Sequence, residues 1–201
     1  MTKRVLLAGL VAGVGMYAWT SIAHTMTPLG EAGIQELPNE AVVLTTLHST
    51  LGPAPGFYLF PGMGVGKDAT ADQKKAAAAQ YGQRLATNPA GVLMYNPPGS
   101  MAISARLFIT EFVIELLEAM LAIILLSQTN LRTWGSRVAF VTAIGFIACI
   151  TTNASYWNWY GFPTTYTASY MFMQLVAFFV AGAIGASILR TGAPRAAQMA
   201  A

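Results

Sequence analysis

Glu111, Glu115 and Glu118 are the residues best placed to do chemistry in this chain, because all three stand within a run, Ile103 to Leu126, that is otherwise apolar. Spacings of four and three residues put them on one helical face, within an arc of about 60° at 3.6 residues per turn. A carboxylate in hydrocarbon costs about 2.5–3.5 kcal/mol on insertion scales, so three together need partners. No lysine or arginine is expected at their depth. Arg106, the nearest in sequence, is about 140° around the helix from Glu111 and reaches toward the outer interface. Shared protons or a bound cation are the expected compensation. At a rise of 1.5 Å per residue, Glu111 lies about 12 Å and Glu118 about 22 Å below Ile103, in the middle of a bilayer. Gln174 and Asn153 are the polar candidates to join them as ligand or ion-binding residues, with Thr151, Thr152 and His24 nearby.

Three kinds of chemistry suit such a stripe. Glutamates one turn apart can pass protons or coordinate a cation along a pathway. Carboxylates with a histidine can ligate a metal for redox or hydrolytic work, and Glu111, Glu115 and His24 are the candidate ligands, with His48 as a substitute. The paired Glu-x-x-His motif of di-metal sites is absent, which weakens the metal reading. Protonated glutamates can also be structural, hydrogen-bonded to polar side chains or across a subunit interface. A carrier built on repeats would show internal symmetry or broken helices, and neither is legible here. A partner subunit or small-ligand-binding protein with a buried glutamate cluster therefore ranks ahead of a proton or cation pathway. A metal-dependent membrane enzyme using the same carboxylates ranks third, so the reading leans away from an enzyme and leaves that alternative open.

The elements that must position these residues follow from composition. Hydrophobic residues make up 55% of the chain and charged ones 9%, against about 25% charged in soluble domains. Four apolar runs are near the length of a membrane span: Val5 to Ala23, Ile103 to Leu126, Val138 to Ser155 and Tyr170 to Leu189. The expected fold is mainly α and integral to a membrane, a four-helix transmembrane bundle with a small α/β extracytoplasmic cap between the first two spans. Its segments are a cytoplasmic N-terminus with the first span at 1–23, the cap at 24–102, the glutamate span at 103–126 and a cytoplasmic link at 127–137. The third span at 138–155, an aromatic outer link at 156–169, the fourth span at 170–189 and a cytoplasmic tail at 190–201 complete the chain.

Lys3, Arg4, Arg132, Arg137, Arg190 and Arg195 all fall on one side of this arrangement, so the positive-inside rule puts both termini in the cytoplasm and the cap outside. The net charge of +3 is mostly topology, and no basic cluster suits nucleic acid. The expected partners are the lipid bilayer and a second copy or another membrane protein. The first run is read as an uncleaved anchor; cleavage after Ser21-Ile22-Ala23 would instead leave His24 as a new N-terminus. Gly9, Gly13 and Gly15 on that run, and Ala177, Ala181 and Gly185 on the fourth, mark close helix approaches.

The cap lacks cysteine and is thin for a core of its own; Cys149, the only cysteine, belongs to the third span as a packing residue. A helix capped by Asn39 and stopped at Gly52, a second helix opened by a Thr70–Gln73 capping box, and strands at Phe57–Phe60 and Gly91–Tyr95 are expected there, the strands pairing with each other. Gly62-Met63-Gly64-Val65-Gly66-Lys67 looks like a phosphate-binding loop but has Pro61 where glycine and Asp68 where serine or threonine belong, so it reads as a turn. Trp157, Trp159, Tyr160 and Phe162 in the outer link form an interfacial aromatic belt, with a pocket for an apolar ligand or lipid as the alternative.

Pro38-Asn39-Glu40, Phe57-Tyr58-Leu59-Phe60-Pro61-Gly62-Met63, Tyr95-Asn96-Pro97-Pro98-Gly99 and the stretch Tyr156 to Pro163 together resemble a family of uncharacterised bacterial inner-membrane proteins with four transmembrane helices and an outer cap. The resemblance covers most of the chain. It implies a multi-pass protein of the bacterial inner (cytoplasmic) membrane and carries no activity or site residues. A likeness to claudin-type proteins is architectural only, because the tryptophan and paired-cysteine signature of their first outer loop is missing.

Overall fold

The computed structural model describes residues 2–189; Arg190, Arg195 and the expected tail at 190–201 lie outside the described residues. The chain is mainly helical and divides into two compact units, one made of the segments up to Ile34 and from Ser104 onward, the other of Gln35–Ile103.

The first unit begins with α1, Lys3–Met26, whose N-terminus is closed by the Thr2 hydroxyl accepting from the Val5 amide. A 3₁₀ turn, Pro28–Glu31, follows. After the second unit the chain returns as α4, Ala105–Ser127, then α5, Trp134–Cys149, a π-helical turn over Ile150–Ala154, α6, Ser155–Tyr160, and α7, Thr164–Ile188. Three helical segments are long and apolar enough to cross a membrane: α1, the continuous run Trp134–Tyr160, and α7. The 23 residues of α4 match them in length. It differs in carrying Arg106, Glu111, Glu115 and Glu118.

One core joins α1, α4, α5 and α7, built from Ala8, Ala12 and Met16 of α1, Ala119, Ala122 and Ile123 of α4, Val141 of α5, and Ala177, Phe178 and Ala181 of α7. Small residues make it tight. A Cβ on Gly13 would lie 2.7 Å from Leu116 Cδ2 and 2.9 Å from Leu116 Cα, and one on Gly9 would lie 2.6 Å from Met120 Sδ, so both glycines seat α4 against α1. Gly15 faces Ile184 of α7 instead, Gly145 of α5 backs onto Phe178, and Gly185 receives Ile123. Arg137 ties one end together, donating from Nε to the Leu131 carbonyl at 2.9 Å and from Nη1 to the Leu189 carbonyl.

Helical structure extends further than expected where α6 meets α7. The aromatic stretch assigned to an outer link at 156–169 is mostly helix: α6 continues the third helix to Tyr160, and α7 opens at Thr164 rather than at Tyr170. Only three residues intervene. Gly161, at φ 68°, and Pro163, the N-cap of α7, are what reverse the chain.

The second unit contains α2, Glu40–Leu51, β1, Gly56–Phe60, α3, Ala71–Thr87, and β2, Gly91–Tyr95. β1 and β2 pair antiparallel, with Phe57 opposite Met94 and Leu59 opposite Val92. The Thr70–Gln73 capping box is present on both its bonds. Asn39 does precede α2, yet in a left-handed conformation (φ 54°) and without a side-chain cap bond. Neither α2 nor α3 has a buried residue; Tyr95, whose hydroxyl donates to the Gly52 carbonyl at 2.9 Å, is the buried hydrophobic anchor of this unit.

Candidate functional site

Helical periodicity on α4 turns Glu111, Glu115 and Glu118 toward a cavity of about 250 Å³ inside the first unit. Across it stand Met16, Thr20 and His24 of α1, spaced four residues apart, so that one face of α1 lies along the glutamate face. Tyr170, Met173, Gln174 and Ala177 of α7 form a second wall. Thr152 and Asn153 complete it from the π-helical turn. That turn inserts extra backbone into the third helix, which changes the direction of the side chains within it. The helix stays continuous from Trp134 to Tyr160, and its irregular turn lies at the cavity wall.

Glu115 is the deepest of the three acids, 4% exposed, while Glu118 is half-buried and Glu111 exposed. Its Oε1 accepts from the Thr20 hydroxyl at 2.5 Å. Its Oε2 is buried and has no partner. Such an atom forgoes hydrogen bonds worth about 1–3 kcal/mol, more if charged.

Gln174 is held by the third helix. Its Oε1 accepts from Asn153 Nδ2 at 3.3 Å and from the Cys149 thiol at 3.4 Å. Cys149, expected as packing, is buried and contributes this weak bond as well. Trp19 Nε1 donates to the Met173 carbonyl at 2.9 Å, which pins α7 to α1 beside the cavity. At one rim, His24 Nδ1 donates to the Thr20 carbonyl at 2.9 Å, and its ring meets Tyr170 edge-on with centroids 5.6 Å apart.

Every ligand or ion-binding residue expected from the sequence, Glu111, Glu115, Glu118, Gln174 and Asn153, lines this one cavity, and so does His24. Glu111, Glu115 and His24 were also the candidate metal ligands. Among the described residues, no three His, Cys, Asp or Glu side chains are grouped closely enough to hold a metal ion. Trp157, Trp159, Tyr160 and Phe162 are not among the cavity walls. Trp159 is 79% exposed, Trp157 bonds Thr164 Oγ1, and Phe162 stacks between Tyr156 and Tyr166. Tyr166 in turn packs on Tyr170 at 4.4 Å, so an aromatic file connects that end of the helices to the cavity rim.

Thr20, Met16 and Met173 were missed as site residues. Their signal was available in part, since Met16, Thr20 and His24 repeat every four residues and match the glutamate stripe in pitch. Comparison with known proteins finds no matching family model, no matching curated protein and no matching solved structure.

Proposed function

We propose that this chain is a four-span integral membrane protein of the bacterial inner membrane that binds a small cation in the α4-lined cavity. The observation that carries the reading is Glu115, 4% exposed, which lines the cavity with two further carboxyl groups and whose Oε2 has no protein partner. A carboxyl group so placed is neutralised by a proton or by a cationic ligand, and the cavity gives a cation room beside all three acids. Support for α4 as the fourth span comes from its seat along α1 at Gly9 and Gly13, and from the exposed apolar face of Leu117, Leu121 and Leu125 away from the acids. In this arrangement Lys3, Arg4, Arg132 and Arg137 share the cytoplasmic side, with Gln35–Ile103 as the outer cap.

A proton pathway through the same glutamates is the second reading. It is favoured by the Thr20 hydroxyl, which bridges Glu115 toward backbone carbonyls, and by His24 at the rim. The test is mass spectrometry, under native conditions, of protein purified in mild detergent, beside a variant with Glu111, Glu115 and Glu118 all changed to glutamine. A stoichiometric bound cation lost in the variant is the expected result. A folded wild-type protein carrying nothing, together with glutamate-dependent proton flux in proteoliposomes, would instead establish the pathway.

A further inference from the structure

A groove on the outside of the helical unit, separate from the glutamate cavity, joins an apolar trough to a basic end. We propose, resting on the membrane reading above but not on the cation site, that the face between α5 and α7 holds an acyl chain of an anionic phospholipid, with the headgroup beside Arg132.

The groove has a volume of about 620 Å³. Gly135, Ala139 and Ala143 recur every four residues along α5, so one line of that helix stays low. An added Cβ on Gly135 would meet nothing within 4 Å. Large side chains flank the line, Phe146 from α5 and Leu175 and Phe179 from α7, with Val138 buried between the two helices. Two lining side chains carry a polar hydrogen, and both are engaged: the Thr142 hydroxyl donates to the Val138 carbonyl at 2.9 Å, and Trp134 Nε1 donates to Ser187 Oγ at 3.1 Å. No side-chain donor of the groove is left for a polar occupant, so what fills it is hydrocarbon held by dispersion.

Length and charge say which hydrocarbon. From Trp134 to Phe146 the groove follows α5 for about 18 Å at 1.5 Å per residue. A bilayer core is about 30 Å thick, so the groove is about one leaflet deep, the reach of an acyl chain whose headgroup lies at the Trp134 end. That end is basic. Arg132 is exposed two residues before Trp134, and the Arg137 guanidinium is fixed there by the Leu131 and Leu189 carbonyls. Lys3 and Arg4 open α1, whose antiparallel seat on α4 brings them to the same end. The acids of the helical unit lie elsewhere: Glu31 beyond the opposite end of α1, and Glu111, Glu115 and Glu118 along the cavity. An anionic headgroup is the complement to this unbalanced charge, and the partly exposed Trp134 ring suits headgroup level.

The test offers delipidated full-length protein in mild detergent equal amounts of dioleoyl phosphatidylglycerol and dioleoyl phosphatidylcholine, and counts bound lipid by native mass spectrometry. Phosphatidylglycerol is expected to bind at least about fivefold more tightly than phosphatidylcholine. Arg132→Gln is expected to bring the two lipids within about twofold of each other, because the headgroup charge loses its partner. Ala139→Phe fills the groove and is expected to lower retention of both lipids, whereas Leu121→Phe, on the exposed face of α4, should change neither. Melting curves identify a variant that has not folded, and the other variant then decides. Equal binding of the two lipids by the unaltered protein, a preference unaffected by Arg132→Gln, or retention unaffected by Ala139→Phe overturns the inference. So does a dimer of the unaltered protein that Ala139→Phe dissociates, which assigns the groove to a second copy. Release of the protein from native membranes by alkaline carbonate overturns the membrane reading itself, while retention there without a lipid preference overturns the lipid site alone.

Discussion

Thr20 has one hydroxyl proton and three acceptors within reach: Glu115 Oε1 at 2.5 Å, the Tyr17 carbonyl at 3.2 Å and the Met16 carbonyl at 3.3 Å. Two arrangements satisfy it. With Glu115 ionised, the hydroxyl donates to the carboxylate; with Glu115 protonated, the carboxylic acid donates to Thr20, which passes its proton to a backbone carbonyl. The pair therefore accommodates Glu115 in either state, while Oε2 stays without a protein partner in both. Thr20→Val keeps the shape and removes this partner. It should cost about 1 kcal/mol, seen as a melting temperature lower by about 2–4 °C in detergent. An unchanged melting curve would show that Glu115 is stabilised by other contacts. The acids themselves were legible in the sequence because a carboxylate is conspicuous among leucines. Thr20 was not, since a threonine in a membrane helix commonly bonds its own preceding turn, as Thr20 does here too.

Helix faces set the cavity. On α1 the side carrying Gly9 and Gly13 meets Leu116 and Met120, which interleave with Glu115 and Glu118 along α4, so the closeness of α1 to α4 determines how near Thr20 comes to Glu115. Gly13→Val would drive a Cβ into Leu116, whose Cα lies 2.9 Å from that position. Gly135, by contrast, has nothing within 4 Å of an added Cβ. Gly13→Val should lower the melting temperature markedly and weaken ligand binding, while Gly135→Ala should leave binding unchanged and add up to about 1 kcal/mol of helix stability. Equal effects of the two, measured by melting and fluorescence titration, would contradict the packing described. The glycine spacing and the Ala177–Ala181–Gly185 seam were readable because small residues four apart have few other uses in a membrane helix. The π turn at Ile150–Ala154 was not, because no residue there forces extra backbone into the helix. The helical course of Tyr156 to Tyr160 was obscured by a composition that suits a membrane interface as well as a helix.

At the scale of the whole molecule, the two units place their apolar residues differently. The helical unit buries small residues in a shared core and turns large ones such as Leu7, Leu10, Leu117 and Leu121 outward, as a lipid-facing surface requires. The unit Gln35–Ile103 buries little besides Tyr95, in agreement with the thin core expected from its length and lack of cysteine. The central claim is that α4 crosses the membrane with its glutamates facing a cavity among the helices, the feature that separates it from the three more apolar helices. Carbodiimide labelling of the protein in native membranes, mapped by mass spectrometry of peptides, tests this most directly. One reagent is apolar and enters from lipid; the other is water-soluble and membrane-impermeant. The account predicts that Glu115 and Glu118 react with the apolar reagent and resist the water-soluble one, while Glu36, Asp68 and Asp72 react with the water-soluble reagent applied from the cap side. Labelling of Glu115 and Glu118 by the water-soluble reagent as readily as Glu36, Asp68 and Asp72 would contradict it.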